Sequence, residues 1–127
     1  MAGGAVIVAG FGFRASATAE SLADALERAG GPAEVRAVAT AADKAASLPF
    51  RHFANALGLP TLAMADEDLA RQDTPTRSPV SLAARGTGSL AEAAALAGAG
   101  PGARLIAARA ISADGKATCA LAEGKDT

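Results

Sequence analysis

The sequence predicts an α/β domain, a three-layer α/β/α arrangement around a five-stranded mixed sheet whose last strand is antiparallel. Three observations lead there. Short apolar runs alternate with segments of helical period through the first three strands, the pattern of parallel strands joined by crossover helices. The last two apolar runs are joined by one tight turn, which permits only antiparallel pairing. Half of the 127 residues are apolar, enough for one core in a chain of single-domain size. We therefore expect residues 1–127 to form one domain. Right-handed crossovers put the first strand in the centre, the second and third on one side and the final hairpin on the other, with helices on both faces.

Each element has its own signal. Residues 5–9 are a short β-branched run ended by glycine, a buried strand, with 10–14 read as the loop that follows. Ser16 or Thr18 caps the first helix, whose apolar stripe is Leu22, Ala25, Leu26 and Ala29; Gly30-Gly31-Pro32 stops it. Residues 35–40 form the second strand and 41–46 a loop carrying Asp43 and Lys44. Ser47 caps a helix with Pro49 in its first turn, Phe50, Phe53, Ala54 and Leu57 as its buried stripe, and Gly58 as its end. Residues 61–65 are the third strand, and Asp66 caps a short helix to about Arg71. After a polar loop, Ser78-Pro79 opens another helix through Arg85, and Gly86-Thr87-Gly88 breaks it. Ser89 and Glu92 form a capping box at the head of a helix to about Ala97. Residues 105–110 and 117–122 are strands around the turn pair Asp114-Gly115.

Composition excludes several function classes. Lys and Arg total 12 and Asp and Glu total 13, with no run of one sign, so neither nucleic acid nor anionic membrane is an expected partner. The chain has no Trp or Tyr and only four Phe, too few for a base-stacking platform. The single cysteine, Cys119, has no internal disulfide partner and reads as a buried thiol in a reducing, cytoplasmic compartment. Val6-Ile7-Val8 meets Gly10 at once and has no basic region before it, so no secretory leader is expected. His52 is the one histidine and no second ligand stands at metal-binding spacing, so neither a metal nor a cofactor is expected.

The sharpest chemical candidate is Gly10-Phe11-Gly12-Phe13-Arg14. Glycines between strand and helix let backbone N–H groups approach an anion, aided by the helix dipole. A dinucleotide fingerprint tolerates Ala15 as its third small residue. It also needs an acid at the end of the second strand, where Val38-Ala39-Thr40 stand instead, so a nucleotide-binding module is the weaker reading. The competing structural reading is that the glycines serve helix–strand packing. Arg14, which packing does not need, favours the anion site. Lys44 follows the second strand at the carboxyl edge of the sheet, where open α/β sheets bind ligands. Arg77 and Ser78 reach the same edge if the third strand is parallel. Two or three cations beside a helix N-terminus make a receptor for carboxylate or phosphate.

Gly-x-Gly-x-Arg after the first strand, Lys44 after the second, and Gly86-Thr87-Gly88-Ser89-Leu90-Ala91-Glu92-Ala93-Ala94-Ala95-Leu96 together resemble the CobE family. That family is also the C-terminal domain of CbiG, in cobalamin biosynthesis, and the resemblance runs over residues 5–121. The chain departs from the pattern in three places. Phe13 stands where relatives often have cysteine, Ala45-Ala46-Ser47 follow Lys44 where an acid is usual, and Arg109 stands where the late strand often has lysine. Chemistry that needs a thiol or a carboxylate at those positions is therefore not carried over.

The resemblance implies a part in making the corrin ring. Full-length CbiG opens a ring lactone and releases a two-carbon fragment in the anaerobic route; CobE-like proteins belong with the aerobic route, where binding or handing on an intermediate is the usual suggestion. It implies a corrinoid or precorrin ligand, with other corrin-pathway enzymes as further partners. The ligand-binding set is then Gly10, Phe11, Gly12, Phe13, Arg14, Lys44, Arg77, Ser78, Gly86, Thr87, Gly88 and Ser89. The phenylalanines would meet the macrocycle and the cations its acetate and propionate groups. The alternative is a small hydrolase of a precorrin lactone, for which Glu92 and Asp43 are the acids to nominate.

Overall fold

The computed structural model describes residues 6–85 and 88–125. Five strands, β1 (Ile7–Phe13), β2 (Val35–Ala41), β3 (Thr61–Met64), β4 (Arg104–Ile111) and β5 (Ala117–Glu123), form one sheet in the order β3-β2-β1-β5-β4. β1 pairs in parallel with β2, and β2 with β3; β5 runs antiparallel between β1 and β4. This is the expected sheet, with β1 at its centre. The helices are α1 (Ala19–Ala29), α2 (Ala42–Ala45), α3 (Leu48–Leu57), α4 (Asp66–Ala70), α5 (Pro79–Arg85) and α6 (Leu90–Ala99). Leu22, Ala25 and Leu26 of α1 and Phe50, Phe53 and Ala54 of α3 pack on one face with Phe11, Val38 and Cys119. Leu90, Ala93 and Ala94 of α6 and Leu69 of α4 pack on the other with Val8, Ala37 and Ala39.

Several local expectations change. β1 does not end at Ala9: it continues through Phe13, held by a ladder to β5 from Ile7↔Glu123 to Phe13↔Ala117. The glycines are thus strand residues. A Cβ on Gly10 would lie 2.9 Å from the Cα of Ala95 and closer still to the carbonyl of Ala91, so Gly10 is where α6 rests on the sheet. For Gly10 the structure shows the packing contact, whereas Gly12 lies further along β1. The 41–46 loop contains the helical turn α2. Thr18, not Ser16, caps α1, accepting from the Ser21 N–H. Neither Ser47 nor Asp66 caps by side chain: Ser47 Oγ is buried without a partner, and Asp66 lies inside the first turn behind Ala65.

The capping box at the head of α6 is half formed. Ser89 Oγ accepts from the Glu92 N–H at 3.2 Å, as expected. Glu92 does not reach back. Its side chain is fully buried and accepts from the Thr76 N–H at 2.9 Å, the Thr76 hydroxyl at 2.7 Å and the Arg109 N–H at 2.9 Å. One carboxylate joins α6 to the 72–77 loop and to β4.

Candidate functional site

The site begins where β1 and β2 part. Their pairing ends at Gly10↔Ala39, while β1 goes on beside β5 for three more residues. The carbonyls that β1 then turns towards β2 have lost their ladder partners, and an unpaired carbonyl away from water is costly. Side chains replace the ladder. The Thr40 hydroxyl donates to the Phe11 carbonyl at 2.9 Å and the Lys44 ammonium to the Phe13 carbonyl at 2.7 Å. The turn α2 brings Lys44 back over the gap, where its Nζ also sits 4.9 Å from the Phe13 ring centroid, a cation–π distance.

A cleft of about 500 Å³ opens at this end of the sheet. Gly12, Phe13 and Arg14 form one part of its wall, Ser78 and Ser81 of the α5 segment another, and Ser89 and Leu90 place the N-terminus of α6 in it. Arg109 and Ile111 come from the end of β4, and Lys116 to Thr118 from the start of β5. Four cations, Arg14, Lys44, Arg109 and Lys116, thus share one concavity, and among the described residues no Asp or Glu lines it. The dipole of α6 adds to the positive potential. The arrangement can bind a molecule that carries several carboxylates or phosphates and an apolar body.

Nearby acids are engaged elsewhere. The Asp114 carboxyl is held down at about 2 by the hydroxyls of Ser112 and Ser21 and the Lys116 N–H. Those bonds, at 2.5, 2.6 and 3.0 Å, fasten the hairpin turn to α1. Asp24 is likewise lowered by the Ala113 N–H and by Arg28. Burial pushes the Cys119 thiol far up, which leaves it inert.

The model for the cobalamin synthesis G C-terminus matches residues 7–122. The chain belongs to that family. CobE, a protein of the cobalamin (vitamin B12) biosynthetic pathway, is 31% identical, with a TM-score of 0.85 over 100% of this chain and 96% of that one. The cobalamin biosynthesis protein chiG from Agrobacterium tumefaciens is also 31% identical, with a TM-score of 0.71 over 95% of this chain and 100% of that one. A putative cobalamin biosynthesis protein G homolog from Sulfolobus solfataricus shares the fold at 20% identity and a TM-score of 0.67, over 95% of this chain and 37% of that longer one. No curated protein sequence matches the chain. Among the described residues no helix is long and apolar enough to cross a membrane.

Within this CbiG C-terminal fold, the residues nominated from sequence divide. Gly12, Phe13, Arg14, Lys44, Ser78 and Ser89 line the cleft together. Phe11 does not: its ring is wholly buried, edge-on to Phe50 at 6.0 Å and Phe53 at 5.1 Å, and presents nothing to a ligand. Gly10 lies under α6. Gly88 is buried against the 74–77 segment and accepts from the Ser78 N–H, a packing role. Arg77 is exposed and outside the cleft. Gly86 and Thr87 lie outside the described residues. Glu92 and Asp43 do not line the cleft, and Glu92 has the structural use given above. Sequence reasoning left Arg109 and Lys116 out of the set. The Asp114-Gly115 hairpin was the signal for Lys116, since an antiparallel return to β1 sets the start of β5 opposite Arg14.

Proposed function

We propose that this cobalamin biosynthesis protein binds a corrinoid or precorrin intermediate in the cleft at the carboxyl end of β1 and holds it for the next step. The carrying observation is the cleft itself: four cations, three serine hydroxyls and a threonine around a half-buried phenylalanine, with no carboxylate among its described lining. A corrin precursor has the matching chemistry, a flat apolar macrocycle rimmed by acetate and propionate groups. Phe13, Leu90 and Ile111 meet the apolar part, while Arg14, Lys44, Arg109 and Lys116 meet the rim. Phe13 is stiffly mounted for that use, stacked on Phe50 at 5.8 Å with the rings 9° apart. The relatives named for the cobalamin pathway support the ligand class.

Gel filtration of the protein with hydrogenobyrinic acid tests the reading. A coloured complex that co-elutes at tens of micromolar protein is expected, with no change in the mass of the pigment. Pigment that elutes free, for this and for earlier lactone-bearing intermediates, overturns it. A mass change in the lactone-bearing samples would instead mark the hydrolase alternative. A melting-temperature rise with ATP or NAD, and none with the pigments, would mark a nucleotide site, because any ligand selective for the native state stabilises it.

A further inference from the structure

Past the last paired residues of β1 and β5, Phe13↔Ala117, the ladder continues by one bond: the Arg14 N–H donates to the Lys116 carbonyl at 2.9 Å. Arg14 and Lys116 are therefore directly opposed across an antiparallel pair, and both residues line the cleft. Like charges at directly opposed positions destabilise a sheet. Asp114, ionised and held by two hydroxyls and the Lys116 N–H, attracts the Lys116 ammonium and offsets part of this repulsion, but its carboxylate does not stand between the two cations as an ion-pair partner. Neither cation makes an ion pair among the described residues. Two like charges thus face each other at the mouth of the cleft, only partly offset by Asp114, at a cost to folding. A negatively charged group set between them removes that cost and gains a charge-assisted bond from each.

We propose that Arg14 and Lys116 are a carboxylate clamp that sets specificity, gripping one acidic arm of the ligand and distinguishing a free acid from its amide. This rests on the corrinoid reading above and goes beyond it by naming the pair that does the selecting. An amide arm carries no charge to relieve the opposed cations and offers its own N–H donors to a site made of donors, so it is rejected. A reaction that neutralises this arm, by amidation or esterification, lowers the affinity. Such a reaction therefore consumes the bound species and frees the protein.

The test uses the full chain and three variants, Arg14→Gln, Lys116→Gln and the double substitution. Each is titrated with hydrogenobyrinic acid and with its fully amidated derivative, and each is melted without ligand at low and at high salt. The wild type should bind the acid roughly ten- to a hundredfold more tightly than the amide. Either glutamine variant should lose most of that ratio, and the double variant little more than a single one. Without ligand, Arg14→Gln should melt roughly 1–4 °C above the wild type, a gain that shrinks as salt screens the pair, and Lys116→Gln, which also gives up its attraction to Asp114, should gain less. A merely structural lysine or arginine would give the opposite sign. An unchanged acid-to-amide ratio in both single variants, or a lower ligand-free melting temperature in both, overturns the clamp. If the wild type binds neither pigment, the corrinoid reading has failed and tricarballylate decides the clamp by itself. A melting-temperature rise in the wild type that both single variants lose upholds it, and no rise in the wild type overturns it.

Discussion

Replacing Glu92 by glutamine separates two accounts of this residue. If Glu92 only completed a capping box with Ser89, glutamine would serve nearly as well, since either residue is suited to that position, and stability would move by no more than about 0.5 kcal/mol. The structure implies more. The carboxylate is fully buried and accepts three bonds, from the Thr76 N–H, the Thr76 hydroxyl and the Arg109 N–H. A glutamine amide keeps one oxygen acceptor, which the Thr76 N–H can take. The Thr76 hydroxyl can rotate and accept from the new NH2 group. In that orientation the Arg109 N–H faces a donor and is orphaned; with the amide turned over the Thr76 N–H is orphaned instead, at the same cost of about 1–3 kcal/mol, and the surviving bonds lose their charge assistance. The expected loss is about 2–3 kcal/mol, or a fall in melting temperature of roughly 6–15 °C for a chain of this size. Glu92→Ala, which unpairs both N–H groups and leaves a void, should lose about 3–5 kcal/mol. Denaturant unfolding measures both, and hydrogen exchange at the Arg109 and Thr76 amides shows where the fold has loosened. A Glu92→Gln protein within about 0.5 kcal/mol of the wild type, with the Arg109 and Thr76 amides both still protected, would refute the reasoning.

Two further outcomes follow from named contacts. Gly10→Ala should lose about 1–3 kcal/mol of folding stability by overpacking, because the atoms a methyl would meet belong to the α6 backbone and cannot swing aside; normal stability with weakened pigment binding would return Gly10 to the role of an anion loop. For Asp114, the folded-state pKa is depressed from 3.8 to about 2, so its contribution is present above pH 4 and is lost as pH falls towards 2. Asp114→Asn should flatten the stability–pH curve in that window, and parallel curves for variant and wild type would contradict the assignment.

Much of the architecture was legible because it is written in local periods. The apolar runs, the glycine stops after Ala29 and Leu57, and the Asp114-Gly115 turn each depend on residues close in sequence. The crossover and hairpin rules then order the strands β3-β2-β1-β5-β4 without reference to any particular contact. The same logic put Arg14 and Lys44 at one edge, since both follow parallel strands.

What local reasoning misread has a common cause. Gly10 and Gly12 looked like a loop because glycine usually breaks a strand, yet here the missing Cβ is needed by a helix 80 residues further on, which no local signal announces. Phe11 and Phe13, two apart on one strand, look equivalent by sequence. Only the packing of α3 decides that Phe11 is sealed under Phe50 and Phe53 while Phe13 stays half open beside the cleft. Glu92 satisfied a local motif and was used for a distant one, because a buried carboxylate goes to whichever donors tertiary packing leaves unpaired. Arg109 and Lys116 reach the cleft only through the antiparallel return of β5 against β1. The sequence by itself determined the elements, their order and the edge where charge collects. The long-range pairing of β1 with β5, and the seat of α6 upon them, decided which charges face one another there, because a side chain's neighbours across a sheet are set by register and not by spacing along the chain.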